Sequence, residues 1–118
     1  MREQKDTIEY GDFEKLDIRI GLIKDAEMVP DTDKLIKCTI DFGELGERTI
    51  VSGIREFVTP EELIGKRLPY VINLAPRKLR GVVSEGMLLA GAPMREDGSR
   101  GLSLPIFSDD TDPGTTIG

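Results

Sequence analysis

Histidine and tryptophan are absent from the 118 residues of this chain, and cysteine occurs once, at Cys38. Without histidine, the chain can form neither a Ser-His-Asp type of catalytic triad nor a histidine general acid or base. One cysteine cannot form an internal disulfide and leaves too few ligands for the usual zinc site. We therefore expect no catalytic residues, no metal site and no cofactor, and a reducing compartment such as the cytoplasm.

Long apolar stretches are lacking as well. No run approaches the roughly 20 apolar residues of a membrane-spanning helix, and the first ten residues lack the apolar core of a secretory signal peptide. Apolar residues make up 38% of the chain and charged residues 32%, as is typical of globular proteins. At this length we expect a single domain covering residues 1–118, with no membrane association.

The net charge of −6 is unevenly distributed along the chain. Residues 48–84 contain seven Lys and Arg but only three Asp and Glu, whereas the segments on either side are acidic. Between Leu63 and Ser84 there are five cations and no acid. Because charges are screened beyond about 8 Å at physiological salt, such a segment can bind a polyanion locally although the chain as a whole is acidic.

Alternating apolar and polar residues predict strands along most of the chain. The predicted strands cover residues 16–22, 36–42, 48–54, 66–74 and 86–93. Helix signals interrupt this alternation between the third and fourth strands, at residues 59–65. They are an N-cap, a first-turn proline, a capping-box glutamate and a terminal glycine, at Thr59, Pro60, Glu62 and Gly65.

Three strands, a short helix and two further strands are the layout of the OB fold, a five-stranded Greek-key barrel. We therefore predict an all-β protein with its barrel core over about residues 12–107 and with terminal extensions on either side.

Six sequence motifs follow one another in an order that resembles the tRNA-binding domain family. They are FEKLDIRIGLI (13–23), PDTDKLIKCTIDFG (30–43), IVSGI (50–54), PEELIGK (60–66), NLAPRKLRG (73–81) and SEGMLLA (84–90). Thr32 and Cys38 depart from the family pattern, in which an alanine and an aliphatic residue are usual. The family includes free-standing dimeric tRNA-binding proteins, C-terminal domains of methionyl-tRNA synthetases and CsaA-type export chaperones. The resemblance implies an OB fold that binds folded tRNA by its shape and phosphate backbone, without catalysis.

The basic motif PRKLRG contains Arg77, Lys78 and Arg80. On composition alone, such a cluster is best interpreted as a solvated surface turn. Mobile cations beside a barrel face can instead follow a phosphate backbone, and the family resemblance favours this interpretation. We therefore predict that these three residues bind RNA.

Further RNA contacts are predicted around this cluster, because in OB folds the ligand face lies beside the rim loops. A serine hydroxyl can donate to a phosphate or ribose, and a flexible methionine can lie against a base. We predict contacts from Lys34, Asn73, Ser84 and Met87, and peripheral contacts from Arg55, Lys66 and Glu85. Aromatic residues are only 5% of the chain, which favours folded RNA over an extended strand that would need stacking platforms.

The resemblance leaves the cellular role open. The chain could supply tRNA affinity to a methionyl-tRNA synthetase as a detached subunit, or it could hold unfolded or pre-export polypeptides as a CsaA-type chaperone. We also predict a homodimer, as in free-standing members of the family. The N-terminal segment and the apolar patch at residues 102–107 are surplus to a five-stranded barrel and need burial.

Overall fold

A computed structural model describes residues 3–118, so Met1 and Arg2 of the expected domain lie outside the described residues. The strands are β1 (Ile18–Met28), β2 (Ile36–Asp41), β3 (Glu47–Ser52), β4 (Arg67–Val71), β5 (Arg77–Leu79), β6 (Val82–Ser84), β7 (Met87–Leu88) and β8 (Thr116–Ile117). The helices are α1 (Tyr10–Glu14), α2 (Pro60–Leu63) and a 3-10 turn at Gly43–Leu45. This composition confirms the predicted all-β class.

Five strands form an antiparallel sheet in the order β3-β2-β1-β4-β7, and β8 pairs with β1. Strand β1 is shared between two halves of the sheet, because residues 18–22 pair with β4 and residues 22–28 pair with β2. The register with β2 shifts between Ile23 and Asp25, which is a bulge that bends the strand. The sheet therefore curls into the half-barrel that the predicted OB fold requires.

The core is built from alternate residues of the strands, with the period of two that the sequence predicts. In β2, Ile36, Cys38 and Ile40 are buried and their neighbours are partly exposed. Beside them, the rings of Phe42 and Tyr70 meet edge to face, with their centres 5.7 Å apart. This geometry places the positive edge of one ring against the negative face of the other.

Helix α2 lies between β3 and β4, where the sequence predicts it. The Thr59 hydroxyl accepts a hydrogen bond from the Glu62 amide, and the Glu62 carboxylate accepts one from the Thr59 amide. The bonds that the Glu62 carboxylate accepts from the Thr59 amide and hydroxyl lower the pKa of Glu62, because they favour its charged form. The helix is short, and it is held by burial of Leu63 in the core.

Several strand boundaries differ from the sequence prediction. The fifth strand, predicted over residues 86–93, is limited to β7 (Met87–Leu88), because the chain beyond it forms only isolated bridges at Gly91 and Met94. Strand β1 continues to Met28 instead of ending at residue 22, because the backbone of its polar second half still pairs with β2 along one edge. Strand β4 ends at Val71, and the chain then leaves the sheet for residues 72–86, which contain the separate two-stranded sheet β5-β6. The sequence predicts no hairpin in this segment.

The apolar patch at residues 102–107 is partly covered by the chain itself. Leu102 and Leu104 pack against the core, so the chain provides part of the burial that the patch needs. Phe107 donates a backbone hydrogen bond to the Arg67 carbonyl, 2.9 Å away. Ile106 remains 54% exposed.

Two arginines of the barrel hold the C-terminal segment. Arg67 donates from Nε to the Thr111 carbonyl at 2.8 Å, and Arg19 donates to the Gly114 carbonyl at 3.1 Å. Arg19 also pairs with Asp17, the residue before β1, at 2.7 Å. Within residues 3–118, no helix is long and apolar enough to cross a membrane.

Cys38 is predicted to be chemically inert in the folded protein. Burial raises the pKa of its thiol to about 12, with a smaller contribution from the Asp25 carboxylate. At pH 8 the reactive thiolate is therefore scarcer by a factor on the order of a thousand than in a free cysteine. Iodoacetamide labelling followed by mass spectrometry should be correspondingly slow in the native protein and fast in guanidinium. Comparable rates in the two states would contradict this burial.

Candidate nucleic-acid interface

The predicted basic cluster lies on a tight β-hairpin formed by β5 and β6, called the basic hairpin here (residues 77–84). Its turn consists of Arg80 and Gly81, whose φ angles are +50° and +84°. Two consecutive residues with positive φ form the type I′ turn that matches the twist of a two-residue hairpin. Glycine suits the second position, whereas an arginine at the first is uncommon.

The basic hairpin presents its three cations to solvent. Arg77, Lys78 and Arg80 are all exposed. Within the described part of the chain, none of them has a carboxylate partner within ion-pair distance. Their charge is therefore available to an external anion.

Arg80 faces the loop between β1 and β2. Together with residues 31–35 it lines a depression of about 400 Å³. Lys34 belongs to this loop and is exposed, so the fold brings Lys34 and Arg80 together across the depression. Asp31 and Asp33 also line it, so this part of the surface carries both signs of charge.

A groove of about 290 Å³ runs along the other side of the basic hairpin. It is lined by Arg77, Leu79 and Met87, by Ser52 at the end of β3 and by Gly53 just after it. Met87 is 46% exposed, so the predicted contact residues Arg77 and Met87 lie on one accessible surface. Sequence reasoning missed Ser52, Gly53 and Leu79, because their position depends on a hairpin that it did not predict.

Ser84 joins the end of the basic hairpin to β3 inside the barrel. Its side chain is buried, and its hydroxyl accepts a hydrogen bond from the Val51 amide of β3 at 2.9 Å. The same hydroxyl donates to the Gly86 carbonyl at 3.3 Å. The hydroxyl therefore takes the place of a backbone partner at the edge of β3.

Glu85 also forms hydrogen bonds with β3. Its backbone amide donates to the Thr49 carbonyl at 2.8 Å, and its carboxylate accepts from the Thr49 amide at 3.4 Å. The Arg48 guanidinium donates to the Ile72 and Glu85 carbonyls, which are the two ends of the excursion from the sheet. We call these contacts of residues 84–86 with β3 the seam. They give the carboxylate of Glu85 a partner that does not involve RNA.

The remaining predicted residues have partners inside the chain or lie elsewhere. Both ends of the Asn73 amide are hydrogen-bonded, to the Asp17 amide and the Lys15 carbonyl. Arg55 donates to the Thr32 carbonyl and to the Lys34 carbonyl, so it orders the loop that carries Lys34. Lys66 precedes β4, whereas the basic hairpin follows it. Lys66 and the basic hairpin therefore lie at opposite ends of β4 along the chain.

Comparisons with known proteins agree on one family. The family model described as "Putative tRNA binding domain" matches residues 18–116. The methionine–tRNA ligase of Bacteroides fragilis is 50% identical over 99 residues, which are 84% of this chain and 14% of that protein. The methionine–tRNA ligase of Methanococcoides burtonii is 47% identical over 113 residues, which are 96% of this chain and 16% of that protein. The chain thus spans about one sixth or less of the length of these relatives.

Solved structures show the same fold. A MetRS related protein from Pyrococcus horikoshii superposes with a TM-score of 0.87 at 38% identity, covering 97% of this chain and all of that one. The chaperone CsaA from Bacillus anthracis superposes with a TM-score of 0.79 at 35% identity, covering 96% of this chain and all of that one.

Replacing Gly86 should weaken the seam. A Cβ atom there would lie 2.8 Å from Cδ1 of Ile50 and 3.0 Å from the Val71 carbonyl, so the Ile50 side chain would have to rotate and the backbone at Val71 to shift. We expect Gly86→Ala to lower the free energy of unfolding by about 1–3 kcal/mol, as overpacking does in cores. Urea denaturation measures the loss. Gly53→Ala is the control, because its Cβ meets nothing within 4 Å, and equal effects of the two changes would disprove the packing argument.

Proposed function

The chain belongs to the tRNA-binding domain family, and on this basis we propose that it binds folded tRNA without catalysing a reaction. The observation that supports this most is the basic hairpin, on which Arg77, Lys78 and Arg80 are exposed and have no carboxylate partners among the described residues. Phosphates of the RNA backbone are the partners that such cations fit. Because tRNA is the ligand, we place the protein in the cytoplasm.

Recognition would depend on the shape of the RNA. The basic hairpin and Lys34 stand on either side of one depression, so they can reach phosphates that a folded RNA holds at a fixed spacing. The net charge of −6 would repel polyanions from the rest of the surface. The cations of the basic hairpin, together with Lys34, would thus select a ligand whose phosphates match their positions.

Removing the free cations should weaken tRNA binding without unfolding the protein. The test variant is Arg77→Ala, Lys78→Ala, Arg80→Asn. Asparagine keeps a residue that tolerates the positive φ of the turn. We expect affinity for tRNA to fall roughly tenfold or more at 0.1 M salt, and the slope of log K against log salt to decrease by about 3. Filter binding across a salt series, with a thermal melt of each variant, measures both.

The matched control removes three other exposed cations, by Lys5→Ala, Lys24→Ala and Arg100→Ala. It changes the net charge equally and should leave most of the affinity. Equal losses in the two variants would mean that only overall charge matters. Equal binding of tRNA, duplex RNA and single-stranded DNA by the unaltered protein would refute recognition of folded tRNA.

The role of a detached synthetase subunit follows from the relatives. Two of them are methionine–tRNA ligases, which this chain matches over a small part of their length. We propose that the domain raises the affinity of a methionyl-tRNA synthetase for tRNA, either within one chain or as a partner.

A chaperone function is the second candidate. Two of the matching structures are named as CsaA chaperones, and the groove beside the basic hairpin has apolar residues, Leu79 and Leu88, that a polypeptide could contact. The exposed Arg77, which lines this groove, favours RNA over an apolar peptide. Suppression of the aggregation of a denatured client, unaffected by competing tRNA, would instead favour the chaperone.

We further propose that the protein is a homodimer whose interface includes the N-terminal segment (residues 3–17). Four of its apolar residues are 41–74% exposed: Ile8, Tyr10, Phe13 and Leu16. Helix α1 buries none of its residues within the chain. Apolar side chains that cluster in this way on a surface indicate an interaction site.

The mass in solution tests the dimer. Sedimentation should give twice the 13.1 kDa of one chain, and Tyr10→Ser with Phe13→Ser should shift the mass to that of one chain. The control is Leu45→Ser with Ile64→Ser, which changes two apolar residues of similar exposure elsewhere. A single-chain mass for the unaltered protein would exclude the dimer.

A further inference from the structure

The side chain of Asn73 joins the N-terminal segment to the excursion that carries the basic hairpin. Its Oδ1 accepts a hydrogen bond from the Asp17 amide at 2.8 Å, and its Nδ2 donates to the Lys15 carbonyl at 2.6 Å. Beside them, the Ile72 amide donates to the Asp17 carbonyl at 2.9 Å. Three hydrogen bonds therefore connect the chain just after α1 to the chain just after β4.

The N-terminal segment has few other attachments. Residues 3–16 are exposed throughout. Within the described part of the chain, their other hydrogen bonds join residues of the segment to one another. The Asn73 side chain is thus the point at which the position of this segment is fixed relative to the barrel.

A shift of the backbone at Asn73 would also displace the cations of the basic hairpin. Only residues 74–76 separate Asn73 from Arg77, and one of them is Pro76, which restricts the backbone. The far end of the excursion is held independently, by Ser84 and Glu85 on β3. The basic hairpin is therefore fixed at its exit by the seam and at its entry by Asn73.

We propose that Asn73 is a positioning residue, through which the N-terminal segment sets the orientation of the basic hairpin, and not a residue that contacts RNA. This inference rests on the proposed tRNA binding, because the cations that it positions are those assigned to the phosphates. It makes the RNA affinity of the hairpin dependent on what holds the N-terminal segment, including a second copy of the chain.

Hydrogen exchange tests the positioning without RNA. In Asn73→Ala, we expect the Asp17 amide to lose its protection and the amides of residues 77–84 to exchange several times faster, because the entry of the hairpin is released. Asn73→Asp retains an acceptor for the Asp17 amide and loses the donor to Lys15, so its effect should be intermediate. Ser99→Ala, which removes the hydrogen bond from the Ser99 hydroxyl to the Asp97 carboxylate in another exposed turn, is the control. Unchanged exchange in residues 77–84 of Asn73→Ala would overturn the proposal.

A double-mutant cycle separates positioning from direct contact. Residues 3–16 are exposed throughout, so their deletion should leave the barrel folded while it removes the Lys15 carbonyl that Asn73 binds. Asn73→Ala should lower tRNA affinity about three- to tenfold in the full chain and by a clearly smaller factor in the deletion variant, because most of the segment that it positions is gone. The same loss in both backgrounds would assign Asn73 a direct RNA contact and overturn the proposal.

The two hypotheses fail in different ways. If the full chain does not bind tRNA, the proposed function is wrong, and the exchange experiment still decides whether Asn73 positions the hairpin. If tRNA binds and Asn73→Ala changes neither affinity nor exchange, the positioning role alone is wrong.

Discussion

The seam between β3 and residues 84–86 is the contact on which the barrel and its surface both depend. Strand β3 lies at the edge of the sheet, and its Thr49 and Val51 amides need partners that a strand of two residues, β7, is too short to supply. The Glu85 carboxylate and the Ser84 hydroxyl provide them. Ser84 ends the basic hairpin and Glu85 follows it directly. The contacts that close the barrel therefore also determine the position of the exposed cations.

Two groups of cations in this acidic chain have different environments. Four arginines donate to backbone carbonyls and hold segments of the chain together: Arg19, Arg48, Arg55 and Arg67. The planar guanidinium group, with several donors, suits this bridging role. Arg77, Lys78, Arg80 and Lys34 remain exposed, and Arg80 and Lys34 share one depression. An overall negative charge and a local site for an anion are therefore compatible.

Much of the barrel could be predicted because its signals are local. The alternation in β2 and the capping box of α2 each lie within a few residues, and the structure has both. The basic hairpin could not be predicted in this way, because its turn places an arginine, instead of the usual asparagine or glycine, at a positive φ. The groove that it forms with Ser52 and Gly53 was missed for the same reason.

The sequence by itself determined the alternation of the central strands, the helix α2 and the clustering of Arg77, Lys78 and Arg80, since these follow from periodicity and from neighbours along the chain. Only the tertiary structure decided the environments of the polar residues beside the cluster. Ser84 meets Val51, and Asn73 meets Lys15, across 33 and 58 positions of sequence. A hydroxyl or an amide has the same hydrogen-bonding groups whether it faces RNA or a distant backbone. Its partner is therefore fixed by how the chain folds and not by the residue type.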